Sequence, residues 1–115
     1  MKIVADKNIP FLEGVFEPYA EVIYIDGMEI SHDDVIDADA LVIRTRTKCD
    51  RTLLEGTAVK IIATATIGMD HIDMEYCHEK GIEVHNAKGC NAGGVMQYVF
   101  SALYGVAARK AIKIE

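Results

Sequence analysis

No apolar run in this 115-residue chain approaches the roughly 20 residues that a membrane-crossing helix requires. The opening, Met1-Lys2-Ile3-Val4-Ala5-Asp6, reaches charge too early for a secretory leader, so a cytoplasmic location is expected. Cysteine is scarce: Cys49, Cys77 and Cys90 are odd in number and form no CxxC pair. That excludes a disulfide scaffold and points to unpaired thiols in a reducing compartment. Positive charge is also in deficit, with 12 Lys and Arg against 18 Asp and Glu, a net charge of −6. Neither nucleic acid nor an anionic membrane is therefore expected as the principal partner. Internal repeats, low-complexity tracts and linkers are all missing. No two glycines stand two residues apart, so the dinucleotide fingerprint G-x-G-x-x-G does not occur.

What remains is an ordinary globular composition, 50% apolar and 26% charged, of a length that suits one domain with its own core. Short apolar runs alternate with helical stretches. Ile3-Val4-Ala5 reads as a strand ending at Asp6; Asn8 then caps a helix carrying Leu12, Val15, Phe16 and Tyr19 on one face. Glu21 to Ile25 is a second strand. Ile30 to Asp37 is a polar connection with a helical turn, in which Ser31 and Asp34 resemble a capping box. Ala40 to Ile43 is a third strand, continuous enough in apolar character to be buried on both faces. Asp50 caps a short helix through Leu53 and Leu54, and Val59 to Ala63 is a fourth strand. Asp70 or Asp73 starts a helix that Gly81 stops; Ile82 to Val84 is a fifth strand, and a long helix spans about 92–109.

Five strands alternating with helices predict a flavodoxin-like, doubly wound α/β sandwich, a parallel sheet of order 2-1-3-4-5 with helices on both faces. In such a sheet, ligands bind beyond the carboxyl ends of the strands, near the point where strand order reverses. Strand one ends in Asp6-Lys7-Asn8, strand three in Arg44-Thr45-Arg46-Thr47-Lys48, strand four in Thr64-Ala65-Thr66-Ile67-Gly68 and strand five in Asn86 to Asn91. This set is rich in hydroxyls and cations and carries one carboxylate. Thr64, Thr66 and Gly68 precede a helix start, whose free N–H groups favour an anion, and Arg44, Arg46 and Lys48 approach from the neighbouring strand. The same features have a plainer reading: threonine-rich strand ends are common turn chemistry, and cations alternating at period two can form one solvated face. Convergence of several loops on one edge favours a small anionic ligand.

The run Gly68-Met69-Asp70-His71-Ile72-Asp73 resembles the Gly-x-Asp-[His/Asn]-[Ile/Val]-Asp pattern of D-2-hydroxyacid dehydrogenases, in their N-terminal substrate-binding portion. Three longer stretches narrow the resemblance to one branch, whose substrate carries a phosphate: KIVADKNIPF, residues 37–48, and residues 64–71 with the later Gly89-Cys90-Asn91-Ala92. The likeness covers nearly the whole chain. It implies oxidation of a small anionic hydroxy acid with NAD by a homodimer, with substrate contacts at Thr45 and Thr66 and weaker candidates at Arg44, Arg46, Lys48 and Gly68. Position 45 is commonly serine in the family, and Arg46 stands where a small apolar residue is expected. The family's catalytic arginine, glutamate and histidine belong to a later coenzyme domain, and none of their motif contexts occurs here. His71 belongs to the helix-start motif instead. The resemblance thus implies that residues 1–115 are a substrate-binding domain ending in an interdomain helix at about 92–109. The NAD-binding domain would be absent from this chain, with no coenzyme bound and no turnover by these residues alone.

Other readings fare worse. Another D-2-hydroxyacid dehydrogenase remains the nearest alternative. A receiver-type module shares the strand order but needs an acceptor aspartate after strand three, where Arg44 and Thr45 stand. A metal centre would draw on His71, Cys77, His78, His85 and Cys90, whose spacing matches no ligand pair. A Cys–His nucleophile lacks an activating context. A flavin site would need a Ser/Thr-Gly-rich turn after strand one, and Asp6-Lys7-Asn8-Ile9-Pro10 is not one.

Overall fold

A computed structural model of the chain describes residues 2–9, 21–66 and 68–86. The strands are β1 (Lys2–Asp6), β2 (Glu21–Ile25), β3 (Ala40–Ile43), β4 (Ile61–Thr64) and β5 (Glu83–His85); the helices are α1 (His32–Val35), α2 (Arg51–Leu54) and α3 (Met74–Glu79). All strand pairs are parallel, in the order β2-β1-β3-β4-β5, so the expected topology is the observed one. The reversal of strand order falls at β1 and β3, the first neighbours not consecutive along the chain.

β3 lies between β1 and β4, and its Ala-Leu-Val-Ile run is fully buried for that reason. Val4, Leu41, Ile43 and Ile62 form one core cluster with Val35 of α1, Leu53 and Leu54 of α2, and Tyr76 and Cys77 of α3. The three described helices therefore cover a single face. The alternate residues Ile3, Ala5, Val42, Ile61 and Ala63 are equally buried, so the other face is covered too. The expected helix that follows Asn8, with Leu12, Val15, Phe16 and Tyr19, and the one at about 92–109 fall on residues outside those described. Each fully buried Leu or Ile contributes roughly 1.5–3 kcal/mol through surface removed from water.

Local chemistry sets the short helices. Asp50 accepts from the Leu53 N–H at 3.1 Å and Asp73 from the Tyr76 N–H at 3.0 Å, both as N-caps. At α1 the Asp34 carboxylate accepts from both the backbone N–H and the hydroxyl of Ser31, each at 2.9 Å. Gly81, at φ +73°, takes the left-handed conformation just beyond the α3 cap residue Lys80.

Two strands differ from expectation in their limits. β4 begins at Ile61 rather than Val59 and runs on through Thr64, while β5 is displaced one residue to Glu83–His85. Val59 and Ile82 are apolar because they close the core cluster below the strands, not because they join the ladder. Thr64 belongs to the strand because it pairs with Ile43. Of the two expected starts of α3 the cap is the later one, Asp73, so the Thr64–Gly68 turn does not open directly into a helix.

Candidate functional site

β3 and β4 are adjacent and parallel, with Ile43 opposite Thr64, so the chain leaves both strands at the same carboxyl edge. The two departing segments are joined again further on. Cys49 N–H donates to the His71 carbonyl and the Asp73 N–H to the Cys49 carbonyl, both at 2.8 Å, which makes a parallel bridge between Cys49 and Ile72. The turns carrying Thr45 and Thr66 thus begin on neighbouring strands and are tied together where they end.

Within this frame the candidates differ in position. Arg44 is half-buried, and its Nε donates to Oδ2 of Asp6 at 3.2 Å. Asp6, the last residue of β1, is wholly buried and also accepts from the Asn8 N–H at 2.9 Å. One guanidinium N–H is therefore committed to a structural carboxylate. Thr45, Arg46 and Lys48 are exposed in the turn after β3, with Arg46 Nη1 3.5 Å from the sulfur of Met28. Thr47 points inward, its hydroxyl donating to the Gly27 carbonyl at 2.9 Å. The cations Arg44, Arg46 and Lys48 do not form one solvated row, because the strand ends at Ile43 and a turn follows.

At the end of β4, Thr64 is buried and Thr66 half-buried, their hydroxyl oxygens 2.7 Å apart. Thr64 Oγ1 is also 3.1 Å from His71 Nε2, and the Thr66 hydroxyl donates to the Gly68 carbonyl at 3.1 Å. Gly68 itself is exposed, with open space where a Cβ would stand. Burial holds the His71 imidazole below its ordinary pKa, and the nearby Asp70 charge offsets this only in part, so the ring is mainly neutral at pH 7. The expected helix-end attraction for an anion is not what builds this edge: α3 is short, begins beyond His71 and Ile72, and is capped by its own Asp73.

The strand ends considered from sequence omitted that of β2, which brings Asp26 and Gly27 to the same edge. Asp26 is a second carboxylate there. The Met28 N–H and the Asn8 amide hold it below the usual carboxylate range, with help from Lys7 and Arg46. An Asp-Gly pair directly after an apolar strand was the available signal.

Neither buried thiol is a nucleophile. Burial pushes Cys49 up to about 12 and Cys77 up to about 11, leaving both protonated at neutral pH. A cavity of about 310 Å³ lies at the opposite edge, below β4 and β5, lined in part by Leu54, Glu55, Val59, Tyr76 and Ile82. Its polar groups are engaged with one another: the Tyr76 hydroxyl donates to Glu55, which pushes it up to about 12, and the Lys80 ammonium stands 5.8 Å from the ring centroid.

An all-parallel sheet of this order, with hydroxyls and cations beyond its carboxyl ends, defines a flavodoxin-like α/β domain. The chain belongs to the D-isomer specific 2-hydroxyacid dehydrogenase family, matching its catalytic domain over residues 2–113. It is 51% identical over 115 residues to an erythronate-4-phosphate dehydrogenase of Bacteroides fragilis, covering 99% of this chain and 33% of that protein. It is 56% identical over 104 residues to the enzyme of that name from Bacteroides thetaiotaomicron, covering 90% of this chain and 30% of that one. The chain spans about a third of the length of these relatives. Among solved structures, the NAD+-bound 3-phosphoglycerate dehydrogenase of Entamoeba histolytica is similar, with TM-score 0.63 and 34% identity over 76% of this chain and 32% of that one. A D-lactate dehydrogenase of Aquifex aeolicus, in complex with NAD and lactic acid, shares the fold at TM-score 0.64 and 21% identity, over 90% of this chain and 33% of that chain.

Proposed function

We propose that residues 1–115 are the substrate-binding domain of an NAD-dependent, homodimeric, cytoplasmic dehydrogenase. Its reaction is the oxidation of 4-phospho-D-erythronate to the 2-oxo acid, a step toward pyridoxal 5'-phosphate. Thr45 and Thr66 contact the substrate, and Arg46, Lys48, Gly68 and the remaining donors of Arg44 complete its anion-binding edge. The observation that carries this reading is the joining of the segments after β3 and β4, which brings hydroxyls and cations to one edge of an acidic chain. Arg grips a carboxylate or phosphate through paired N–H groups, while Lys acts as a point charge.

The coenzyme does not fit these residues. The sequence has no glycine pair of the G-x-G-x-x-G kind, and the described residues offer no acidic ribose partner after such a turn. NAD is therefore assigned to the part of such a dehydrogenase that lies outside this chain. What these residues contribute is capture and orientation of the anion. Hydride transfer awaits a positioned nicotinamide and an acid–base residue.

The test is an NMR titration of this chain with 4-phospho-D-erythronate, 3-phosphoglycerate and D-lactate. The expected result is selective perturbation of the Thr45, Thr66 and Gly68 signals by the first compound, with Ser31 and Glu79 unmoved. A Thr66→Val substitution weakens binding about fivefold or more, the scale of one lost hydrogen bond. Uniform or absent perturbation overturns the site. Stronger binding of 3-phosphoglycerate transfers the assignment to another member of the family.

A further inference from the structure

A row of hydrogen bonds at the end of β4 has a direction that can be worked out proton by proton. Thr66 Oγ1 lies 3.1 Å from the Gly68 carbonyl, Thr64 Oγ1 2.7 Å from Thr66 Oγ1, and His71 Nε2 3.1 Å from Thr64 Oγ1. Each hydroxyl has one proton to donate, and a carbonyl can only accept. The Thr66 proton therefore goes to Gly68. Thr66 must then accept from Thr64, whose single proton is spent on that contact. His71 Nε2 must in turn carry a hydrogen and donate it to Thr64.

The row thus runs one way, from the imidazole N–H through two hydroxyls to a carbonyl. Thr64 has no exposed surface, so solvent cannot offer it other partners. The backbone of His71 is itself held, because its carbonyl accepts from Cys49 N–H in the bridge that ties the two segments together. In its neutral form the ring has one N–H, and the row requires it on Nε2.

We propose that His71, acting through Thr64, is a positioning residue for Thr66: it holds that hydroxyl as a hydrogen-bond donor, whose proton turns from the Gly68 carbonyl to an oxygen of the bound anion. With Thr64 already donating to it, the Thr66 oxygen is polarised, and its own proton is the group left to offer. A phosphate or carboxylate oxygen, an acceptor only, is the matching ligand chemistry. The inference rests on the reading of Thr66 as a substrate contact.

Two measurements on this chain test it. Imidazole ¹⁵N shifts near neutral pH are expected to show His71 as the Nε2–H tautomer; the Nδ1–H tautomer overturns the proposal whatever the ligand. Binding of 4-phospho-D-erythronate is then compared by NMR titration across variants. His71→Leu and Thr64→Val are each expected to weaken binding about fivefold. Their combination is expected to be no weaker than Thr64→Val alone, since both break one row. His71→Gln, whose amide N–H reaches a similar position, retains most of the affinity. Wild-type affinity in His71→Leu, or equal losses in His71→Leu and His71→Gln, overturns the positioning role while leaving the Thr66 site standing if Thr66→Val still binds weakly. Failure of the wild-type chain to bind, or wild-type affinity in Thr66→Val, removes both the site and the inference. Should His71→Leu or Thr64→Val not fold, the tautomer decides the matter.

Discussion

Arg44 Nε stands 3.2 Å from Oδ2 of Asp6, a carboxylate with no exposed surface. The two residues follow adjacent strands, β1 and β3, at the point where strand order reverses. Removing the cation leaves a buried carboxylate with a backbone N–H from Asn8 but no counter-charge from Arg44. Arg44→Leu is therefore expected to destabilise the domain by about 2–4 kcal/mol, somewhat below a fully buried pair because Arg44 is partly exposed. Adding Asp6→Asn recovers part of the loss, as urea midpoints across the double-mutant cycle will show. Additive losses would mean that the two side chains are not coupled.

Gly27 is required for space rather than for backbone conformation. A Cβ at this position would stand 2.3 Å from Asp6 Oδ2 and 3.2 Å from Thr47 Oγ1. Since Asp6 is buried and held by Arg44, it has little room to yield. Gly27→Ala is expected to lower stability by about 1–3 kcal/mol in denaturant titrations, the scale of an overpacked interior. An alanine variant as stable as the parent would show that β2 does not approach β1 and β3 this closely at their carboxyl ends.

Acid should weaken the fold through His71. Its folded pKa lies below the ordinary 6.5 because burial disfavours the charged ring. The unfolded chain then binds more protons than the native state across that interval. The contribution of neutral His71 to stability is therefore complete above about pH 6.5 and is lost as pH falls through the folded value. Urea midpoints at about pH 7.5 and pH 5.5 are expected to differ more in the parent than in His71→Gln, which cannot titrate. Equal differences in the two proteins would show that His71 is not the group responsible.

Much of this architecture can be read along the chain because its causes are local. β2 and β3 have the expected limits: Asp26 ends the apolar run of the first, and Asp39 and Arg44 flank that of the second. Asp50 and Asp73 cap the helices that follow them through bonds spanning three residues, and Gly81 stops α3 with a single positive φ. The 2-1-3-4-5 order follows from alternating strands and helices together with the rules for parallel sheets. Thr45 and Thr66 could be placed on one edge for the same reason.

The wiring of that edge is a different matter. Asp6 meets Arg44 across 38 residues and Gly27 meets Thr47 across 20, and no periodicity records either pairing. The limits of β4 depended on whether Val59 faced the ladder or the core, and on Thr64 finding Ile43 opposite it. Thr64 and His71 are only seven residues apart, yet their contact exists because the Cys49–Ile72 bridge folds the intervening loop back over the strand end. Burial, which makes Asp6 a structural carboxylate and keeps His71 neutral, arises only when distant segments exclude water together. Propensity and spacing act within a few residues and so determined the elements; the states of the site groups depended on neighbours that only chain packing supplies.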